Sequence, residues 1–313
     1  MYESFYGLER PPFSHIPDPD YLYLSPQHRR ALSILQYALM TRAGFCVITG
    51  NVGAGKTTLV RSLLKSVHHD VEIGLVSNTQ VESFSELMRW ILLAFDLDYR
   101  GKDKVEMYDD FVRYLIERFQ ANRPVTLIID EAQHLGLENL EQLRMLSNVN
   151  TEKGQILQTI LVGQAELWDL LRRRELQQFT QRISYDYFLG PLESGELTKA
   201  YIEHRLECAG AAAPIFDDDT FEMIWRGTGG VPRLINLVCD TALVYGYGEE
   251  RATIGRDIIE QVLSDKRDSL TPMGDEEQSP TADLSATGSG PRPIKAARGS
   301  TIERAVSSNR KST

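Results

Sequence analysis

The chain is poor in the residues that staple small secreted folds. Its 313 residues hold three cysteines, Cys46, Cys208 and Cys239, odd in number, widely spaced and each inside an apolar segment. That pattern argues for buried thiols in a reducing compartment and against a disulfide framework or a zinc site. No apolar run approaches the length that crosses a bilayer, and Met1 to Arg10 mixes aromatics with Glu3, Glu9 and Arg10 where a signal peptide would be apolar. The expectation is a cytoplasmic protein with no membrane span, peripheral at the inner membrane only through a partner. Basic charge is scarce too: 34 Lys/Arg stand against 44 Asp/Glu, a formal net charge of −10. Residues 266–313 reverse the balance, with eight Lys/Arg to six Asp/Glu, so the acidity is concentrated in the body before them. An acidic body excludes broad coating of nucleic acid while leaving room for a local basic patch. No internal repeat is present.

Apolar residues make up 42% of the chain, enough for a substantial core in one large or two medium domains. Inside it stands Gly50-Asn51-Val52-Gly53-Ala54-Gly55-Lys56-Thr57, which fits the phosphate-binding pattern G-x-x-x-x-G-K-[ST]. The context fits as well. Phe45 to Thr49 is a short apolar strand pattern, and Thr58 to Val67 a helical one. The glycines let backbone N–H groups turn inward on a polyphosphate, and Lys56 adds a positive point charge. Thr57 offers a hydroxyl to Mg²⁺, and the helix that Thr58 continues adds its N-terminal dipole. The implication is a nucleoside triphosphate site.

Around this loop, strands and helices alternate. Strands are predicted at 71–77, 125–129, 158–162 and 183–189, with helices at 26–41, 84–95, 108–120, 137–146 and 167–180. Apolar strands alternating with helices predict a parallel sheet covered on both faces. Leu32, Leu35, Leu39 and Met40 are expected to mark the buried side of the first helix. From Ser194 the strand signal disappears, and four helices are predicted at 194–209, 219–226, 232–245 and 257–264, a small all-helical lid. Beyond Lys266, Ser, Thr, Pro, Gly and Ala dominate, which predicts a disordered tail. The expected division is an arm and helix over 1–44 that contribute to the nucleotide pocket, a core over 45–192, a lid over 193–265 and a tail over 266–313.

Leu127-Ile128-Ile129-Asp130-Glu131 is the second chemical signal. An apolar strand ending in two carboxylates places Asp130 beside the phosphate loop to help hold Mg²⁺, and Glu131 where it can polarise an attacking water. Gln164, after the next strand, can reach between a γ-phosphate and that water, or can merely cap the following helix. Arg182 precedes the last strand and is a candidate to enter a neighbouring subunit's site, with Arg172, Arg173 and Arg174 as competitors. Arg233 opens a lid helix after Gly229-Gly230-Val231-Pro232. A helix dipole disfavours a cation there, and a bound γ-phosphate would account for it.

These motifs resemble the AAA+ ATPases, in particular the secretion-type ExeA/GspA-like group and, within it, the ATPase associated with exosortase (PEP-CTERM) sorting and exopolysaccharide loci. The resemblance is carried by Met1 to Leu8, Gly50 to Thr58, Asp130 to Gln133, Leu143 to Asn148, Leu161 to Gln164, Gln181 to Ile183, Tyr201 to Leu206 and Gly229 to Asn236. It implies an Asp130/Glu131 Walker B pair, a Gln164 sensor, an Arg182 acting in trans and an Arg233 lid sensor. It also implies ATP and Mg²⁺ as cofactors, assembly with copies of itself into a ring or partial ring, and a protein partner in secretion, sorting or export. After the lid this sequence departs from the ExeA pattern, with no membrane span and no peptidoglycan-binding domain. That departure favours the exosortase-associated subgroup. A DNA-associated regulator of transposition or replication, or an ATP-binding scaffold with little turnover, is the alternative expectation.

Overall fold

The computed structural model describes residues 1–67, 71–77, 79–151 and 154–267. The tail expected over 266–313 lies almost wholly outside them. A first compact unit runs from Met1 to Glu277 and contains every element below.

Strands β1 (Phe45–Gly50), β2 (Glu72–Val76) and β3 (Val125–Ile129) are followed by a two-residue antiparallel pair, β4 (Asn150–Thr151) with β5 (Gly154–Gln155). Then come β6 (Leu157–Gly163) and β7 (Ile183–Leu189). The five long strands form a parallel sheet in the order β2-β3-β6-β1-β7. Strand β6 therefore separates β1, which leads into the glycine loop, from β3, which ends at Asp130. The residue after β6 is delivered between the two motifs.

Apolar side chains alternate between two cores, as period-2 geometry requires. Phe45 and Val47 of β1, Leu127 and Ile129 of β3 and Leu161 of β6 face one cluster. The helices on that side are α4 (Phe84–Ala94), α5 (Lys104–Gln120), α6 (Gly136–Leu146), α7 (Ala165–Leu171) and α8 (Gln177–Thr180). Cys46, Ile48, Ile128, Ile160 and Val162 face the other, beneath α2 (Pro26–Thr41) and α3 (Lys56–Ser66).

Three details differ from the sequence expectation. The buried stripe of α2 is His28, Ala31, Leu35 and Ala38, and Met40 is exposed. Leu32 and Leu39 pack at the edge of that stripe, and of the four expected residues only Met40 turns away from the core. The single helix expected over 167–180 is broken: α7 stops at Leu171, and Arg173 is extended before a 3-10 turn, Arg174–Leu176. The break turns Leu176 and Phe179 into the core and leaves Arg172 to Arg174 exposed on the corner. Cys46 and Cys239 are buried thiols as expected, whereas Cys208 is half-buried.

The helical part comprises α9 (Gly195–Cys208), α10 (Thr220–Thr228), α11 (Pro232–Gly248) and α12 (Arg256–Arg267). Ser194 caps α9, its side chain accepting from the Leu197 N–H. The N-terminal arm, which begins with the short α1 (Tyr2–Phe5), belongs to this helical core. Tyr2, Leu8, Phe13 and Tyr21 are buried among Ile202, Phe216, Ile235 and Cys239. The arm straps the four helices before the chain crosses back to α2.

Candidate functional site

The loop after β1 curls through two left-handed glycines, Gly53 (φ 78°) and Gly55 (φ 94°), and Gly55 is the N-cap position of α3. Gly50 ends β1 against the Leu189 carbonyl, which leaves no space for a Cβ. Val52 is 55% exposed on the outside of the curl, whereas Ala54 is fully buried beneath it. The Lys56 ammonium folds back onto the loop, donating to the carbonyls of Gly50 and Asn51 at 2.9 Å each. Burial pushes its pKa below the usual lysine value, against the pull of Glu131 and Asp130.

Asp130 sits at the end of β3, where its N–H donates to the Val76 carbonyl. Its carboxylate accepts from the Thr57 hydroxyl at 2.9 Å and from the Glu131 N–H at 3.0 Å. Burial raises its pKa, and those two bonds work in the opposite direction. A hydroxyl and a carboxylate are hard oxygen donors suited to Mg²⁺, which completes its octahedron with phosphate oxygens and water. Among the described residues, no group of three or more His, Cys, Asp or Glu could hold a metal. The donor set thus fits a metal that arrives with a phosphate.

Glu131 has a left-handed backbone (φ 55°, ψ 37°), an unfavourable conformation for a side chain of its size. Its carbonyl is held by the Thr79 hydroxyl at 2.8 Å. Its carboxylate oxygen Oε2 accepts from two amides, Gln133 Nε2 at 2.6 Å and Gln164 Nε2 at 3.0 Å. Burial opposes ionisation of Glu131, but the two amides and the charge of Lys56 outweigh it and hold the carboxyl below its ordinary value.

Lys56, Thr57 and Glu131 open onto one cavity of about 340 Å³. Gly53, Lys56, Thr57, Thr58, Glu131, Gln164 and Arg233 line one part of it. Arg233 arrives with α11, whose Arg233 N–H donates to the Gly53 carbonyl at 3.3 Å. The remainder is lined by arm residues from Ser14 to Asp18 together with Tyr21, Tyr201, Arg205 and Asn236. The arm thus both packs on the helical part and lines the cavity. Arg182 lies elsewhere. Its guanidinium donates to Ser147 Oγ at 3.0 Å and to the Arg144 carbonyl at 3.4 Å, at the C-terminus of α6. Arg172 rests on the Trp168 ring, 5.8 Å from its centroid.

Sequence reasoning gave no role to several residues here. His28 is buried under the loop, its ring nitrogens 2.8 Å from Ser25 Oγ and 3.0 Å from the Ala54 carbonyl. Arg205, 7% exposed, donates to the carbonyls of Pro12 (2.6 Å) and Ser14 (3.3 Å) and to the Tyr201 hydroxyl (3.1 Å). Tyr201 in turn donates to Asn236 Oδ1 at 2.8 Å. Gln133 stands two residues after Glu131, and that nearness was a usable signal.

Sheet order, glycine loop, paired carboxylates and helical C-terminal part together define a P-loop fold of the AAA type, and residues 39–171 match the AAA domain family. The chain is related in sequence to general secretion pathway protein A of Aeromonas hydrophila, at 40% identity over 248 residues. That match covers 79% of this chain and 45% of the Aeromonas protein, so the chain spans less than half of its relative. The Aeropyrum pernix ORC2 protein in its ADPNP–ADP complexes superposes with a TM-score of 0.64 at 19% identity, over 82% of this chain and 72% of that one. The Thermotoga maritima RuvB Holliday junction branch migration motor gives 0.52 at 18% identity, over 77% and 68%. At such identities these two share the fold alone. Among the described residues, no helix is long and apolar enough to cross a membrane.

Proposed function

We propose that this protein hydrolyses ATP with Mg²⁺ and converts turnover into conformational change within an oligomer that serves envelope secretion, protein sorting or polysaccharide export. One observation carries the enzymatic part. Glu131 opens onto the same cavity as Lys56 and Thr57, with its carboxylate oriented by two amides and held in its ionised form. A carboxylate so placed suits a base acting on water, beyond what nucleotide binding alone requires.

In this reading residues 45–192 are the hydrolytic core, 193–265 the lid, and 1–44 the arm that closes the nucleoside end. The loop from Gly50 to Thr58 cradles the phosphates, and Lys56 leaves the Gly50 and Asn51 carbonyls for the β- and γ-phosphates. Bound Mg²⁺, held by Thr57 and Asp130, would supply charge neutralisation on the phosphates. Glu131 takes the proton of the attacking water, Gln164 bridges that water and the γ-phosphate, and Arg233 reports phosphate to the lid. Arg182 stands ready for a neighbour's site once its contact with α6 is released. The relation to a general secretion pathway protein supports the envelope setting, and the exosortase-associated role is the finer form of the same proposal. The protein works in the cytoplasm, reaching the inner membrane through a partner.

The test is ATP turnover by the purified protein as a function of its own concentration, with and without duplex DNA, against Glu131→Gln as blank. Turnover rising more steeply than concentration and indifferent to DNA is expected. Strong stimulation by DNA would replace the secretion reading with a replication- or transposition-type role. A rate equal to the blank would reduce the protein to a binding scaffold.

A further inference from the structure

The two amides on Glu131 are not equivalent. Both donate to Oε2, and Oε1 takes neither. The Gln164 side chain lines the cavity, and among the described residues its amide bonds to Glu131 alone, so a ligand can draw it away. Gln133 is fixed at both ends. Its Oε1 accepts from the backbone N–H of Gln164 at 3.0 Å, and its Nε2 donates to Glu131 at 2.6 Å. Only one orientation of the amide satisfies both, because a backbone N–H needs an acceptor and a carboxylate needs a donor. The Gln164 N–H follows directly on β6, so this anchor cannot shift without the central strand. The space is closed as well: a Cβ on Gly163 would lie 2.9 Å from Gln133 Oε1. Gln133 itself does not line the cavity.

We infer that Gln133 is the positioning residue of the hydrolytic carboxylate, tying Oε2 of Glu131 to the end of β6 so that Oε1 stays directed at water while Gln164 exchanges between Glu131 and the γ-phosphate. This rests on the ATPase reading above. Without Gln133, drawing Gln164 to the phosphate would leave the carboxylate with no side-chain donor, free to turn toward Lys56. Gln133 touches neither nucleotide nor water; it acts through Glu131 alone.

The test compares Gln133→Met and Gln133→Glu with wild type in the full chain. Steady-state ATPase is measured over a range of ATP with Mg²⁺ present, alongside the Kd of a fluorescent ATP analogue. Gln133→Met removes both bonds. Gln133→Glu keeps the shape and the acceptor for the Gln164 N–H but loses the donor to Glu131. Both are expected to lower kcat about ten- to a hundredfold, because a charge-assisted bond is lost, with KM and Kd held within about twofold. Wild-type kcat in Gln133→Glu, or kcat and affinity falling together in both variants, would overturn the inference while leaving the ATPase reading intact. Wild-type turnover no faster than Glu131→Gln would overturn both.

Discussion

At the loop end of the cavity, Lys56, Thr57 and Glu131, with Asp130 buried behind Thr57, come from two short segments, each contiguous in sequence and each fixed by the strand before it. At the arm end, Tyr21, Tyr201, Arg205 and Asn236 come from the strap and two helices, and the bonds that tie the strap to those helices, from Arg205 to Pro12 and Ser14, join residues more than 190 positions apart. The first end is a local device: a strand, a turn and a helix N-terminus suffice to aim N–H groups and carboxylates at one point. The second exists only when the helical part is folded and the arm is wound on it. Chemistry is therefore concentrated where the chain is locally determined, while enclosure of the ligand depends on long-range packing.

That contrast is testable by removing one group from each end. The largest effect is expected for Glu131→Gln, which keeps the size and the left-handed backbone but removes the base. Turnover should fall by roughly 10²–10⁴-fold with nucleotide affinity little changed. Arg205→Met comes next and should show the opposite signature. Two carbonyls, the buried one of Pro12 and the half-buried one of Ser14, lose their donor, at a cost of roughly 2–4 kcal/mol of stability. Thermal denaturation should record that loss, and KM for ATP should rise while kcat stays within about twofold. An unchanged KM would mean that the arm packs on the lid without closing the site.

The same contrast explains what could be read in advance. The sheet, the glycine loop, the acidic pair and the capped start of α9 follow from local rules, because period-2 burial, glycine geometry and Ser194 each act within a few residues. The break after Leu171 was hidden because large apolar residues recur from Leu167 to Phe179 with no proline or glycine between them to mark a stop. His28 was hidden because its partner, the Ala54 carbonyl, is 26 residues away in sequence, and nothing local distinguishes a histidine supporting a loop from one facing solvent. Arg205 reads as an ordinary helix-surface cation until the arm is seen to cover it.

A smaller effect separates backbone strain from crowding at the turn entering α11. Gly229 (φ 57°) has open space around a Cβ, whereas Gly230 (φ 71°) has the Leu192 backbone against it. Gly229→Ala should cost about 1 kcal/mol and Gly230→Ala clearly more, by denaturant unfolding, because only the second must also displace the segment joining β7 to α9. Equal losses would show that this joint is loose, and that enclosure at the arm end does not depend on it.

The smallest effect concerns the support beneath the glycine loop. Burial pushes the His28 pKa below its ordinary 6.5, and the bond to the Ala54 carbonyl only partly opposes that. The unfolded chain therefore takes up the proton first. The stability held in neutral His28 is complete above pH 6.5 and is lost as pH falls from there through the depressed folded value. Melting temperature measured from about pH 7.5 down to about pH 5.5 should fall more in wild type than in His28→Gln, which has no proton to take up in that range. ATP should reduce the difference, since a filled loop is held from above by the phosphates as well as from below by His28. Parallel pH profiles in the two proteins would mean that Ser25 and the first turn of α2, not the imidazole, carry the loop.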